Sequence, residues 1–472
     1  MAKHHGLNKL RGIDAFCHYG HQQQRGDRFG RLFSIPPLFT PAPRLSALGA
    51  QGGPLDGGTR ASRTNTVAVG QVFFGQFIDH DITLDVSTSL GSVVNDETEV
   101  ENVRTPTLDL DCVYGQGPEA TPFFYHASGD FAGIKLLTGA DGTAANQAPE
   151  FAENDLPRTS QGTAIIADPR NDENRVLSQM QLAFLRFHNK VVDQLSGEYQ
   201  GRELFEEARR TASWHYQWAV IHDFLPTMCG NAVVADILGN GRRHYCAEVN
   251  DPFIPVEFSV AAYRFGHSMI PQKVQIQQGK PALELFGPIL GEGFAPLSND
   301  KAVVDWNELA ETSAGRAIQK AEKLDSKLAS DLLKLPFIPA SDIQSLATRN
   351  LLRGQAFQLP SGENIAFILD RSDSEIEQVS RAARTVAGSD IDLSNGTPLW
   401  FYLLVEAEKI GRETSPGHFD KGEGLGPVGA RIVAETILGL IELDPRSFLA
   451  QNRGWNPADG VGVSTLGELL TF

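Results

Sequence analysis

The 472-residue chain is 41% hydrophobic and 21% charged, a composition that packs a globular core and long enough for about three average domains. Its formal charge of −17 repels nucleic acid and anionic membrane surfaces, and no apolar run approaches the length of a membrane span. Cys17, Cys112, Cys229 and Cys246 form no CxxC pair, which argues against a zinc ribbon, a thioredoxin-type centre and thioether cofactor attachment; a Cys229–Cys246 bridge stays open. Residues 1–20 lack a continuous apolar core, so no classical secretory signal is read there. The expected location is therefore cytoplasmic, or outside by a non-classical route.

Residues 1–70 read as a short helix and then Pro- and Gly-rich loops that wrap a core formed by residues 71–472. In QVFFGQFIDHDITLD (71–85), Val72, Phe73, Phe77, Ile78 and Ile82 recur at helical spacing and predict an inward-facing helix. Its middle carries Gln76, Asp79, His80 and Asp81. Ionisable groups inside a packed helix cost on the order of several kcal/mol unless each finds a partner. Successive residues point about 100° apart, so three partners in three directions are required. Read alone, the segment is equally a buried helix end with a satisfied histidine.

In RTPTLDLDCVYG (104–115), Thr105, Thr107, Asp109 and Asp111 alternate with Pro106, Leu108 and Leu110. Extended chain would put those four oxygen-bearing side chains on one face, a donor set suited to calcium. Read alone, it is more readily an edge strand with its acids in water. Loops fill residues 115–165, and a helix is expected to open at Asp168–Pro169 and run through LSQMQLAFLRFHNKVV, with Arg170 and Glu173 on one side. A further helix is expected over residues 201–226, ended by Pro226, and another from Glu257 to Pro271 carrying Arg264 and His267. Amphipathic helices are expected over residues 300–345, then a helix with Asn350 and Arg353 that stops near Gly354. The tail, 360–472, begins helical and contains Gly424, Gly426 and Gly429 as GxGxxG after polar residues, a poor setting for a dinucleotide fingerprint. No GxSxG, HExxH or P-loop pattern occurs.

Six segments, GQFIDHD (75–81), TPTLDLDCVYG (105–115), DPRNDEN (168–174), FLRFHN (184–189), YRFGH (263–267) and RNLLRG (349–354), together resemble the animal-type haem peroxidases of the peroxidase–cyclooxygenase superfamily. The resemblance spans residues 70–360, weakens toward residue 450, and implies a mainly α single domain with haem b between two helices and very little β structure. It makes His80 the distal histidine, Gln76 a neighbour in the distal pocket, Arg170 the distal arginine and His267 the proximal iron ligand. Asn350 matches the partner of that ligand's second nitrogen, Arg353 an arginine near a haem propionate, and Arg264 the residue three before the proximal histidine. Asp79 and Glu173 match carboxylates that form ester bonds to haem. Asp81, Thr105, Thr107, Asp109 and Asp111 match a structural calcium site, whose last position is commonly Ser in mammalian members.

The activity implied is reduction of hydrogen peroxide through an iron-oxo intermediate, with electrons from halide, thiocyanate or small organic donors. One mammalian member has Met after the ester-forming Glu, making a third haem link; here Asn174 stands there, which favours bromide, iodide, thiocyanate or phenols over chloride. The fatty-acid dioxygenases of the superfamily carry Tyr three residues before the proximal histidine, where this chain has Arg264 and Tyr263 is offset by one. A haem-free binding protein on the same scaffold is the reading from another class.

Overall fold

Apolar residues at a spacing of three and four produce the helices that dominate this computed structural model, which describes residues 28–85, 88, 90, 93–145, 147–248 and 251–472. The helix expected before residue 28 and Cys17 lie outside the described residues. The principal helices are α1 (Ala42–Gly49), α2 (Val69–Ile82), α3 (Arg175–Leu195), α4 (Gly201–Ala219), α5 (Leu346–Ala356), α6 (Asp373–Ala387), α7 (Leu399–Lys409) and α8 (Pro427–Leu443). The described β structure consists of two-stranded pairs, such as Phe29–Gly30 parallel to Ile254–Pro255 and Arg63–Ala68 antiparallel to Lys320–Glu322. The chain is mainly α-helical.

Helices α2, α7 and α8 are apolar on nearly every side and form the centre, as a helix without a polar face must. Phe73, Phe74, Phe77, Ile78 and Ile82 of α2 are at most 2% exposed, and Phe77 stacks on Phe184 of α3 with ring centroids 4.4 Å apart. Phe74 meets Tyr216 and Phe224 edge-on. One stripe of α2 escapes this burial: Val72, Gly75, Gln76 and Asp79, at i, i+3, i+4 and i+7, are half-exposed. Residues 28–70 run around this centre. Arg31 donates to the carbonyls of Phe357 and Gln358, the N–H groups of Leu32 and Phe33 donate to Glu257, and α1 packs on α5.

Several expectations from periodicity change. Helix α2 covers 69–82 rather than 71–85, because Thr83 is extended. The Pro-rich stretch before Gly49 forms α1 with Pro41 as its cap, since proline suits a helix start. Residues 168–195 open with a 3₁₀ turn, Pro169–Asp172, before Asn174 caps α3. The helical path after α4 continues through a π turn, Val220–Phe224, and on past Pro226 to Cys229. The segment expected as one helix from Glu257 to Pro271 is a π turn (Glu257–Ala261), a 3₁₀ turn (Ala262–Phe265) and a short α turn (Gly266–Met269). Residues 300–345 hold 3₁₀ turns and one strand where amphipathic helices were expected. Residues 105–110 are bends leading to a left-handed Leu110 (φ 62°), not an extended strand. Cys112, Cys229 and Cys246 are free, so no Cys229–Cys246 bridge forms. Among the described residues no helix is long and apolar enough to cross a membrane.

Candidate active site

The half-exposed stripe of α2 meets the segment 168–174 through Gln76 and Glu173, and the polar side chains of that segment are all engaged. Asp168 accepts the N–H of Arg170 (2.9 Å) and binds the guanidiniums of Arg170 and Arg104. Arg170 lays its Nη2 on the carbonyls of His80 (3.1 Å) and Thr83 (2.7 Å), capping the C-terminal end of α2 where carbonyls lack helical partners. Asn171 Oδ1 lies 2.8 Å from His80 Nδ1. Asp172 receives two hydrogen bonds from the buried Arg158. Glu173 accepts from Gln76 Nε2, and Asn174 accepts the N–H of Leu177 as cap of α3. The Arg170–Glu173 pairing suggested by their spacing does not form; the 3₁₀ turn sends them to opposite neighbours.

Electrostatics separate the roles of these groups. Burial, helped by the positive charge of Arg170, pushes His80 down to about 4, so its imidazole is neutral at pH 7. Burial raises Glu173 to about 7, against the opposing pull of Arg170 and Gln76. Burial also works to raise Asp168, yet the hydrogen bond from Arg170 and the charge of Arg104 hold it at about 2. A neutral base, a fixed cation and a carboxyl acid therefore sit side by side.

The opposite wall comes from residues 262–269 and α5. A Cβ on Gly266 would lie 3.6 Å from Val72 Cγ1, so the proximal turn crosses the exposed stripe of α2 directly. His267 and Arg264 are themselves half-exposed although protein surrounds them, the mark of a crevice wall. His267 Nδ1 is 2.9 Å from the Asn350 amide nitrogen, and Arg264 Nη1 is 3.4 Å from Asn350 Oδ1. A histidine that gives its Nε2 lone pair to a metal keeps its proton on Nδ1; a half-turn of the Asn350 amide would present the oxygen it then needs, at the cost of setting the NH₂ against Arg264 Nη1. Burial and the Arg264 charge push His267 down to about 3, leaving it a neutral ligand. Burial lowers Arg264 to about 10, with Asp79 acting against the shift from across the crevice. Arg60 grips the carbonyl of Ser268 (3.1 Å) and so anchors the turn just beyond His267. Arg353 pairs with Asp85 (3.2 Å) and with Thr88, joining α5 to the chain leaving α2. Asp79 accepts from the Thr83 hydroxyl (2.9 Å) at the edge of the same crevice. The residues that could hold a metal-bearing macrocycle here are His267, backed by Asn350, and the carboxyls of Asp79 and Glu173, which lie on the stripe of α2 and against its Gln76.

The acidic loop lies behind α2. Asp81, fully buried, accepts the N–H groups of Leu110 (3.2 Å) and Cys112 (3.4 Å). Asp111 binds Arg104 (3.3 Å) and the Thr105 hydroxyl (3.0 Å); Asp109 binds Arg209 (3.4 Å) and Arg446 (2.8 Å). The Thr107 hydroxyl is buried with no hydrogen-bond partner among the described residues. Burial first, then the charges of Asp111 and Asp109, raise Asp81 well above the usual carboxylate range. Among the described residues no three acidic, histidine or cysteine side chains close on a metal-sized point. At the other end of the chain, Gly424 and Gly426 lead into α8, whose first turn holds Gly429, as a dinucleotide loop would, and a short strand, His418–Asp420, does come before them. The N-terminus of α8 is nevertheless filled by the Glu406 carboxylate, which accepts from Val428 (3.0 Å) and Gly429 (3.3 Å) and leaves no room for a phosphate.

The animal haem peroxidase family model matches residues 84–362, more than half of the chain. The chain belongs to the animal haem peroxidase family. The match starts just after α2, so Gln76, Asp79, His80 and Asp81 join the family's segment through the contacts described above. Among curated relatives, human eosinophil peroxidase is 34% identical over 109 residues, 22% of this chain and 15% of that protein. Drosophila melanogaster chorion peroxidase is 35% identical over 193 residues, 37% of this chain and 22% of that protein. The chain thus spans less than a quarter of the length of either. Solved structures show the fold: peroxidase A from Dictyostelium discoideum has a TM-score of 0.62 at 16% identity, covering 95% of this chain and 96% of that one. The fatty acid alpha-dioxygenase of Arabidopsis thaliana has a TM-score of 0.60 at 15% identity, covering 94% and 77%.

Sequence reasoning selected His80, Arg170, Glu173, His267 and Asn350 but passed over the residues that hold them. Asn171 and Asp172 were within reach, because they sit inside DPRNDEN. Arg158 and Asp155 gave no signal, lying in a Gly- and Pro-rich stretch without periodicity.

Proposed function

We propose that the chain is a haem peroxidase that reduces hydrogen peroxide at the expense of bromide, iodide, thiocyanate or small phenols. The observation that carries this reading is a neutral His80 beside Arg170 on the helix against which the turn bearing His267, backed by Asn350, is packed. Haem bound through His267 supplies the redox-active iron at which the O–O bond is cleaved. His80 takes a proton from the peroxide at Nε2 and returns it to the oxygen that leaves as water. Arg170, fixed by Asp168 and by two backbone carbonyls, holds positive charge where negative charge develops. Gln76 donates to Glu173 and lines the pocket beside His80. Arg264 and Arg353 present cations on the proximal side and edge. Two electrons from the donor and two protons complete reduction of one peroxide to two waters.

Asp79 and Glu173 are the carboxyls proposed to form ester links to haem methyl groups. Each link replaces a methyl C–H bond by a C–O bond, with one hydrogen peroxide taking up the two electrons and becoming two waters. Calcium is proposed among Asp81, Thr105, Thr107, Asp109 and Asp111. The unpartnered Thr107 hydroxyl and the mutual repulsion felt by Asp81 support it, while Arg104, Arg209 and Arg446 compete for the same oxygens. The wrapping role of residues 1–70 around a catalytic unit of 71–472 remains part of this reading.

The test is the visible spectrum of the full chain supplied with haem, before and after extraction with acidified organic solvent. A Soret band that stays with wild-type protein and is extracted from Asp79→Asn/Glu173→Gln supports both haem binding and ester links. A band extracted from the wild type removes the ester assignment, and no band at all removes the peroxidase reading. Fatty-acid oxygenation in oxygen-uptake assays would instead favour the dioxygenase reading, for which Tyr263 stands one residue out of place, stacked on Phe258 at 4.5 Å.

A further inference from the structure

His80 has two ring nitrogens, and only an unprotonated Nε2 can accept a proton from peroxide, so its tautomer decides whether the proposed chemistry starts. The ring's partner, Asn171, is an amide, which presents either an acceptor or a donor depending on which way it is turned. Its direction is set further away. Asn171 Nδ2 donates to Gln181 Oε1 at 2.8 Å. Gln181 Nε2 lies 3.5 Å from the carbonyl oxygen of Cys112, a group that can only accept. The Cys112 peptide is anchored on its other side by its N–H, 3.4 Å from Asp81. Asn171 and Gln181 are completely buried and His80 is 4% exposed, so no bulk water substitutes for a missing partner.

The polarity therefore propagates in one direction. The Cys112 carbonyl requires the Gln181 NH₂, which leaves the Gln181 oxygen for Asn171. That oxygen requires the Asn171 NH₂, which leaves Asn171 Oδ1 for the imidazole at 2.8 Å. An oxygen there accepts only from a protonated Nδ1. Turning either amide over places two donors or two acceptors face to face in a buried site, at a cost of about 1–3 kcal/mol per unsatisfied group.

We propose that Asn171 and Gln181 are positioning residues that transmit the polarity of the Cys112 carbonyl to His80, holding it as the Nδ1–H tautomer with Nε2 as the basic nitrogen. The proposal rests on His80 being the proton acceptor of the reading above. Neither residue touches the peroxide, and the relay reaches His80 from α3 and from the acidic loop, not from its own helix.

The experiment uses the full chain labelled with ¹⁵N-histidine, supplied with haem and held as the ferrous carbon monoxide complex, which is diamagnetic. Long-range ¹H–¹⁵N correlations distinguish the two tautomers, and His80→Gln identifies the signal among 12 histidines. The wild type is expected to show Nδ1–H. Gln181→Met removes both contacts of the relay and is expected to give a mixture of tautomers. Its second-order rate with peroxide should fall at least several-fold. Gln181→Glu keeps an acceptor facing Asn171, and Asn171→Asp keeps one facing the ring; both are expected to retain Nδ1–H. A purely packing role would leave the tautomer unchanged in Gln181→Met, and that outcome overturns the proposal. An Nε2–H signal in the wild type overturns it without any variant. A wild type with the expected tautomer, perturbed in Gln181→Met, but with no peroxide turnover would uphold the relay and remove the peroxidase reading.

Discussion

Arg158→Met tests whether the distal segment is held by a buried charge clamp. The Arg158 side chain is 0% exposed, and all five of its N–H groups are used. Nε donates to Asp155 (2.8 Å), Nη2 to Asp155 (3.0 Å) and Asp172 (2.8 Å), and Nη1 to Asp172 (2.7 Å) and the Gly162 carbonyl (3.0 Å). In the variant Asp155 keeps the N–H groups of Leu156 and Leu297 and the amide of Gln147. Asp172, 2% exposed, loses its hydrogen-bond donors among the described residues. Removing one partner of a buried ion pair costs about 3–5 kcal/mol, because the remaining charge stays in a poorly solvating interior. With an unfolding entropy of about 2 cal/mol/K per residue, a chain of this length would lose about 3–5 °C in Tm. The assay is denaturant and thermal unfolding followed by far-UV circular dichroism, with and without added haem. Asp172→Asn in the Arg158→Met background removes the stranded charge and should restore roughly half of the loss. A loss under about 1 kcal/mol, or a double variant no better than the single one, would refute the argument.

Glu406, 2% exposed, is raised to about 7 because burial outweighs the N–H groups of Val428 and Gly429. Its unfolded carboxyl titrates near the ordinary value, so its contribution to stability is intact below about pH 4.5 and is lost as pH rises to 7; Glu406→Gln should flatten that part of the Tm profile. An unchanged slope between pH 4.5 and 7 would count against burial as the cause. Removing calcium with a chelator should lower Tm by several degrees, restored by Ca²⁺ and not by Mg²⁺; protein shown by elemental analysis to be calcium-free and indifferent to added Ca²⁺ would eliminate the site. In Gly293→Ala the new Cβ would meet the Glu173 carbonyl at 2.0 Å, so the loop 288–297 must lift from Glu173. The expected result is a larger solvent-extractable fraction of haem than in the wild type, measured by the same acid extraction.

Helix α2 was legible because a phenylalanine-rich 3.6-residue pattern survives whatever packs against it, and its polar middle announced the need for partners. Those partners were not, since Asn171 and Glu173 meet it only by tertiary contacts and Arg158 stands one step further off, on Asp172. Asp168–Pro169 signalled a helix start, but the 3₁₀ turn that aims Arg170 and Glu173 apart depends on Asp168 being drawn to Arg104 from another segment. Residues 300–345 misled because apolar residues under a long surface loop imitate one face of a helix. Composition excluded nucleic-acid binding as an expectation from charge alone; the glycine motif needed the position of Glu406 before its phosphate-binding reading fell away.

The proximal segment winds too loosely at Glu257–Ala261, too tightly at Ala262–Phe265 and normally at Gly266–Met269. A wide turn lags behind the regular helical phase and a tight one gains on it, so in tandem they reset the angle at which His267 leaves the helix axis. Such a stretch works as a phase adjuster. The direction of His267 is thus set by the winding of residues 257–266 as much as by their number.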